Sequence, residues 1–222
     1  MPKSSKIVSM GQTTGKPVAG PATGRKAAYF ARNRAALISA TQVLLGDKGW
    51  TATIDEVAAH AGVSVSTVYK HFETKEALFE TCAIDGWNEF EAWALQRAIQ
   101  YKDPLEQLVV PMRLMIRGQI SHPVLAQMLA KNVAEFTALV PLFTKNLGIH
   151  MRELVKAKVL EIDHPDLRIM NLKAVLIRIF FLQLETPKAK QTEAELALSL
   201  ALPMIGISPA KAKALMELPL PI

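Results

Sequence analysis

Cysteine is nearly absent. Cys82 stands alone in 222 residues, so no intrachain disulfide and no cysteine zinc cluster can form, and a reducing, cytoplasmic setting fits. No run of 18 or more apolar residues occurs, so no transmembrane helix and no membrane partner is expected. The start, "MPKSSKIVSMGQTTGKPVAGPATGRK", lacks the apolar block of a secretory signal. The five histidines show no metal-ligand spacing, and no Ser-His-Asp or paired-carboxylate constellation can be assembled. The chain is therefore expected to hold no metal and no cofactor and not to be an enzyme. Alternating β-branched runs bounded by tight turns are missing, which removes strands from the expected fold.

Acid is missing from one end. The first 46 residues carry Lys3, Lys6, Lys16, Arg25, Lys26, Arg32 and Arg34 and no Asp or Glu, whereas the remaining 176 hold 19 bases against 20 acids. The net charge of +6 is thus an N-terminal property. A basic arm on a near-neutral body fits a polyanion contacted at one end, although a solvated tail has the same composition. Residues 1–24 are rich in Gly, Pro, Ser and Thr and are expected to be disordered. Within them "GQTTGK" is too short between its glycines for a phosphate loop, is followed by Pro17, and has no strand before it.

What is present is helical periodicity from about residue 25 to the end. In the first helix, ending at Gly46–Gly49, Ala36, Leu37, Ala40, Val43 and Leu44 recur at helical spacing. "TIDEVAAHAG" opens on Thr53 with Glu56 three residues on, a capping box, and closes on Gly62. A third helix opens at Ser64 and ends near Phe72, and a fourth opens at Thr74. Pro104, Pro123, Pro141, Pro165 and Pro209 stand where helices begin. Thr192 with Glu195 reads as a second capping box. About ten helices are expected in an all-α fold.

The second and third helices, joined by a tight turn holding Gly62, have the spacing of a helix-turn-helix over about 53–72. Ile54, Val57, Ala58 and Ala61 form one buried face, and Val63, Val68 and Phe72 another. That leaves Val65, Ser66, Thr67, Lys70 and His71 outward, with Tyr69 lying along the surface. Small and hydroxyl-bearing residues come first and basic ones later. A helix entering the major groove needs that order, because its first residues approach base edges and its later ones reach phosphates. A plain helical hairpin with a solvated polar face has the same spacing; the basic arm tips the balance toward DNA.

"TIDEVAAHAGVSVSTVYKHFETKEALF", residues 53–79, resembles the DNA-binding module of TetR-type transcriptional regulators, without a gap over some 27 positions. The resemblance covers about residues 30–80. It implies an N-terminal three-helix DNA-binding bundle over 25–80 and a larger helical ligand-binding and dimerisation domain over 81–222. It implies a cytoplasmic, nucleoid-associated homodimer that binds a near-palindromic operator in double-stranded DNA and is released by a small-molecule effector. By resemblance, Thr53 and Ser64 cap helices at the phosphates, and Val65, Ser66 and Thr67 face base edges. Tyr69 and His71 bond phosphates on either side of the groove, Lys75 clamps another, and Lys70 contacts base or backbone. The family often has a polar or basic residue where Val65 stands, and Gly or Pro at Ser66. Val65 can offer only apolar contact to a thymine methyl, so direct readout is expected to be sparse, supplemented by DNA shape and by Arg25 or Lys26 reaching a minor groove.

The body is less explicit. "HPDLRIMNLKAVLIRIFFLQLE" (164–185) is apolar nearly all round, with Asn171, Arg178 and Glu185 in one stripe. In the following helix Ala194, Ala197 and Ala201 allow close approach. The resemblance makes these the dimer-forming pair. Candidate ligand contacts are Arg178, Arg113, Arg117 and Trp87, the arginines fitting an acidic ligand. A constitutive or architectural DNA-binding protein without an inducer remains an alternative, and an open cavity in the body separates the two readings. A helical enzyme with an incidental hairpin is a third class, which nothing in the residues favours.

Overall fold

The computed structural model describes residues 24–185 and 191–221; all but Gly24 of the N-terminal arm lies outside them. No strand occurs among the described residues. The N-terminal part comprises α1 (Arg25–Lys48), α2 (Ile54–Ala61), α3 (Val65–His71) and α4 (Lys75–Ala98). The body continues with α5 (Pro104–Ile116), α6 (Gly118–Ser121), α7 (Pro123–Lys131), α8 (Val133–Thr137), α9 (Val140–Phe143) and α10 (Lys145–Lys156). It closes with α11 (Pro165–Glu185), α12 (Gln191–Ala201) and α13 (Pro209–Glu217). The described segments outnumber the ten expected because the stretch 118–144 breaks into four short helices, α6 to α9.

Local rules place most of these boundaries. Proline occupies the first turn of α5, α7, α9, α11 and α13, where a missing N–H costs nothing and a fixed φ helps. Thr53 and Glu56 form the expected reciprocal cap of α2, and Gly62 closes that helix at φ 67°, a left-handed turn that L side chains resist. Ser64 and Thr74 cap α3 and α4 by accepting from Thr67 N and Ala77 N. The pairing of Thr192 with Glu195 is not a cap: Thr192 lies within α12, and the Glu195 carboxylate goes to Arg113 and Arg117 instead. In α1 the side chain of Val43 is exposed, while Leu37, Ala40, Leu44 and Leu45 carry the packing.

One apolar core runs from Leu37 and Leu45 through Val68 and Phe79 to Leu172, Leu176 and Leu198. The sequence boundary at 80/81 falls inside α4, a continuous 24-residue helix shared by both ends of the molecule. A second tie joins α7 to the C-terminal end of α1. There Lys131 Nζ donates to Asp47 O at 2.7 Å, and buried Asn132 donates through Nδ2 to Leu45 O at 3.3 Å. These contacts mount the helix-turn-helix on the body.

Buried Arg113 is a tertiary latch. Its Nη1 donates to Leu215 O at 3.0 Å and Leu218 O at 2.7 Å, and its Nη2 faces Glu195 Oε2 at 3.4 Å. Arg117 Nε donates to the other Glu195 oxygen at 2.7 Å. Burial pulls the Arg113 guanidinium below its ordinary value, and the Glu195 charge pushes it back up. The latch fixes α5, α12 and α13 together.

Candidate nucleic-acid interface and effector cavity

Helix α3 is held by few contacts of its own. Val68 is fully buried and Phe72 nearly so, with the Arg34 guanidinium over the Phe72 ring at 4.7 Å. Val63 and Val65 are half-buried against the same core. Val65, expected on the outward side, is thus partly turned inward against the core rather than wholly presented to solvent. Ser66, Tyr69 and Lys70 are exposed, Tyr69 at 52%.

At the start of α3 the hydroxyls are linked. Ser64 Oγ lies 2.9 Å from Ser66 Oγ and 2.9 Å from Thr67 Oγ1, besides accepting from Thr67 N. This small cluster saturates the Ser64 hydroxyl, which also caps the helix, and leaves those of Ser66 and Thr67 with capacity for a further bond.

His71, at the other end, is half-buried. Its ring packs on Phe30 of α1 with centroids 3.9 Å apart, and its Nδ1 is enclosed without a hydrogen-bond partner. Burial and then the Arg34 charge hold its pKa below the ordinary histidine value. Around α3, Arg25, Lys26, Tyr29 and Arg32 are exposed along the first turns of α1. Lys75 is only partly exposed; its Nζ donates to Trp50 O at 2.7 Å and sits 5.1 Å from the Phe79 ring centre. The Thr53 hydroxyl is engaged in its cap.

The body contains a cavity of about 300 Å³ among α4, α5, α10 and α11. Trp87, Phe90, Met112, Met115, Leu147 and Leu176 give it apolar walls, and Glu91, Asn146, His150 and Glu153 add polar groups. Leu95 and His150 also line a shallow depression beside it. Asn146 Nδ2 donates to Glu91 Oε2 at 2.6 Å. Burial raises the Glu91 carboxyl above its ordinary value, and the Asn146 bond draws it partly back.

Of the four residues read as ligand contacts, Trp87 lies in this wall. Arg113 and Arg117 do not; both are committed to Glu195. Arg178 is exposed on α11 rather than buried. The Glu91–Asn146 pair escaped sequence reading because its members are 55 residues apart and no local pattern joins them.

The exposed side of α11 and α12 carries large apolar residues among polar ones such as Asn171, Arg178 and Glu193. Leu167, Met170 and Leu182 are exposed on α11, and Leu196 and Leu200 on α12 at 59% and 71%. Ala194 and Ala201 point the other way, packing α12 onto the body's core. Among the described residues no helix is long and apolar enough to cross a membrane, and no group of His, Cys, Asp and Glu could hold a metal ion.

Residues 37–82 match the family of bacterial regulatory proteins of the tetR family. Solved structures share the fold over most of the chain. RolR in complex with resorcinol superposes with a TM-score of 0.68 at 20% identity, covering 88% of this chain and 98% of that one. NalD of Pseudomonas aeruginosa, the secondary repressor of the MexAB-OprM multidrug efflux pump, gives 0.61 at 19% identity, covering 80% and 97%. A TetR family transcription regulator from Marinobacter aquaeolei VT8 gives 0.57 at 20% identity, covering 81% and 98%. No curated protein matches by sequence.

Proposed function

We propose that this chain, a tetR-family regulator by its N-terminal module and by its fold, is a homodimeric repressor that a small molecule releases from operator DNA. The observation that carries the DNA-binding part is α3 itself, with an apolar side packed inward and Ser66, Tyr69 and Lys70 facing out. Ser66 and Thr67, with the edge of Val65, meet base edges in the major groove. Three linked hydroxyls and one aliphatic edge make a sparse reader, so DNA shape supplies part of the specificity.

Phosphate contacts set the register. Tyr69 and Lys70 reach the backbone from the exposed side of α3. Thr53 and Ser64 lie at the two helix starts that approach it. Lys75 has two donor hydrogens left after its bond to Trp50 O. Neutral His71, with Nδ1 enclosed, offers Nε2–H to a phosphate oxygen. Arg25 and Lys26, on the first turn of α1, extend the basic surface toward the neighbouring minor groove.

The α11–α12 face is the second half of the reading. Leucines at this exposure are costly in water, at roughly 25 cal/mol per Å² of apolar area. A matching face from a second copy buries them by forming a four-helix contact. Two copies then present two α3 helices to the half-sites of a near-palindrome.

The cavity favours the effector-responsive reading over constitutive DNA binding, since a packed body would have no such space. RolR, which shares the fold, holds resorcinol. Capture of genomic fragments on the full chain, followed by anisotropy titration of the recovered duplex, tests the proposal. A recovered near-palindrome bound by two copies is expected; absence of duplex binding even at low salt would overturn it.

A further inference from the structure

We infer that the cavity among α4, α5, α10 and α11 is shaped for a small ligand with an aromatic or apolar body and one cationic nitrogen that pairs with Glu91. This rests on the effector-responsive reading above and narrows it to a chemical class. The sequence alone points the other way, toward an acidic ligand held by arginines, and the placement of those arginines removes that option.

The charges of the wall are all of one sign. Glu91 and Glu153 line it, and no Lys or Arg does among the described residues. Four arginines of the surrounding helices are engaged elsewhere. Arg97 lies over Trp93 at 4.1 Å and donates to Pro221 O, while Arg113 and Arg117 hold Glu195. Arg152 pairs with Asp166 at 2.9 Å. An anionic ligand would enter this space against two carboxylates, with the His150 imidazole as the one titratable nitrogen of the wall and no Lys or Arg among the described lining residues.

Glu91 is also poised as an acceptor. One of its oxygens takes the Asn146 amide, and the other has no partner among the described residues. An ionised carboxylate at a half-buried apolar wall gains more from a cation than from a neutral donor, because the local dielectric is low and charge-assisted bonds are the stronger kind. The rest of the wall suits the remainder of such a ligand. Trp87 and Phe90 offer aromatic surface, whose negative ring faces attract cations. Met112 and Met115 adapt to irregular apolar shapes. Pro111, also in the wall, denies the Gln107 carbonyl its helical donor, which adds an acceptor to this part of α5. The volume equals about ten waters, the scale of one bicyclic ring system with a short chain.

The test uses the full chain and three matched probes: 1-naphthylethylamine, 1-naphthylethanol and 1-naphthylacetate. Calorimetric titration is expected to rank amine above alcohol above carboxylate, with the amine about 10-fold tighter than the alcohol, as a charge-assisted bond replaces a neutral one. Glu91→Gln is expected to erase the amine's advantage over the alcohol, and Glu153→Gln, an exposed change, to reduce it in part. Binding of the carboxylate as tight as the amine, an unchanged ratio in Glu91→Gln, or no binding of any probe would each overturn the ligand class. Release of operator duplex in the same titrations reports separately. Amine binding that leaves DNA affinity untouched would uphold the cavity chemistry and overturn the effector-responsive reading.

Discussion

Helices α2–α3 and α11–α12 are both two-helix units with one face packed on the protein and one face turned out. The outward face of α3 carries Ser66, Tyr69 and Lys70, and that of α11–α12 carries Leu167, Met170, Leu182, Leu196 and Leu200. A polar face is stable in water and can wait for a partner that comes and goes. An apolar face of this size is costly to leave wet, so its partner must be held continuously. In the proposed reading the two faces therefore differ in lifetime, α3 making a reversible contact and α11–α12 a standing one. The cavity is bounded by α4, which reaches the helix-turn-helix, and by α11, which carries part of the exposed apolar face.

The largest effect is expected from making the standing face behave like the reversible one. Leu196→Glu with Leu200→Glu places like charges across a symmetric contact. Sedimentation equilibrium should then show a monomer at micromolar concentration. Operator affinity should fall about 100-fold or more, because each half-site must be bound without the avidity of the other. A double variant that stays dimeric would assign the interface elsewhere.

A smaller but stability-limiting effect is expected from Glu195→Ala. It leaves buried Arg113 and partly buried Arg117 without their shared counter-ion. The loss should be about 3 kcal/mol in urea unfolding, at the low end for breaking a buried pair because Arg117 keeps some water. Glu195→Gln should recover part of it by hydrogen bonding alone.

On the reversible face, Lys75→Ala should weaken DNA binding several-fold at every sequence alike and lower the salt slope by about one. Ser66→Ala should instead shift base preference with little change in slope. Equal loss across all sequences for both variants would remove the division between positioning and reading contacts.

Much of this comparison was legible in the residues of α2–α3 and little of it in the body. Thr53, Glu56, Gly62 and Ser64 act within four positions of their partners, so local rules place them. The five helix-starting prolines are local too. The Thr192–Glu195 spacing obeyed the same local rule and still misled, because two arginines about 80 residues away offered Glu195 a stronger bond than a backbone N–H. The Arg178 stripe misled for a related reason: periodicity finds the odd residue on an apolar helix without saying whether its face meets the core or the outside. The His71–Phe30 stack and the acidic cavity wall are likewise non-local, each assembled from helices far apart in the chain.

His71 brings the two kinds of information together and yields the smallest predicted effect. The family resemblance proposes it as a phosphate contact, and burial against Phe30 and then the Arg34 charge depress its pKa in the free protein. The unfolded chain, with an ordinary histidine pKa of about 6.5, binds the proton more readily than the folded one. Stability should accordingly fall as pH drops below about 6.5, and this share of the fall should vanish in His71→Gln. DNA acts in the opposite sense, since a phosphate beside the ring favours the imidazolium. The complex then takes up a proton that the free protein resists, and affinity should rise modestly as pH drops from 7.5 to 5.5. Anisotropy titrations of wild type and His71→Gln across that range check the coupling. If the two proteins show the same pH slope, His71 is a packing residue of the α1–α3 contact and the phosphate belongs to Tyr69 and Lys70 alone.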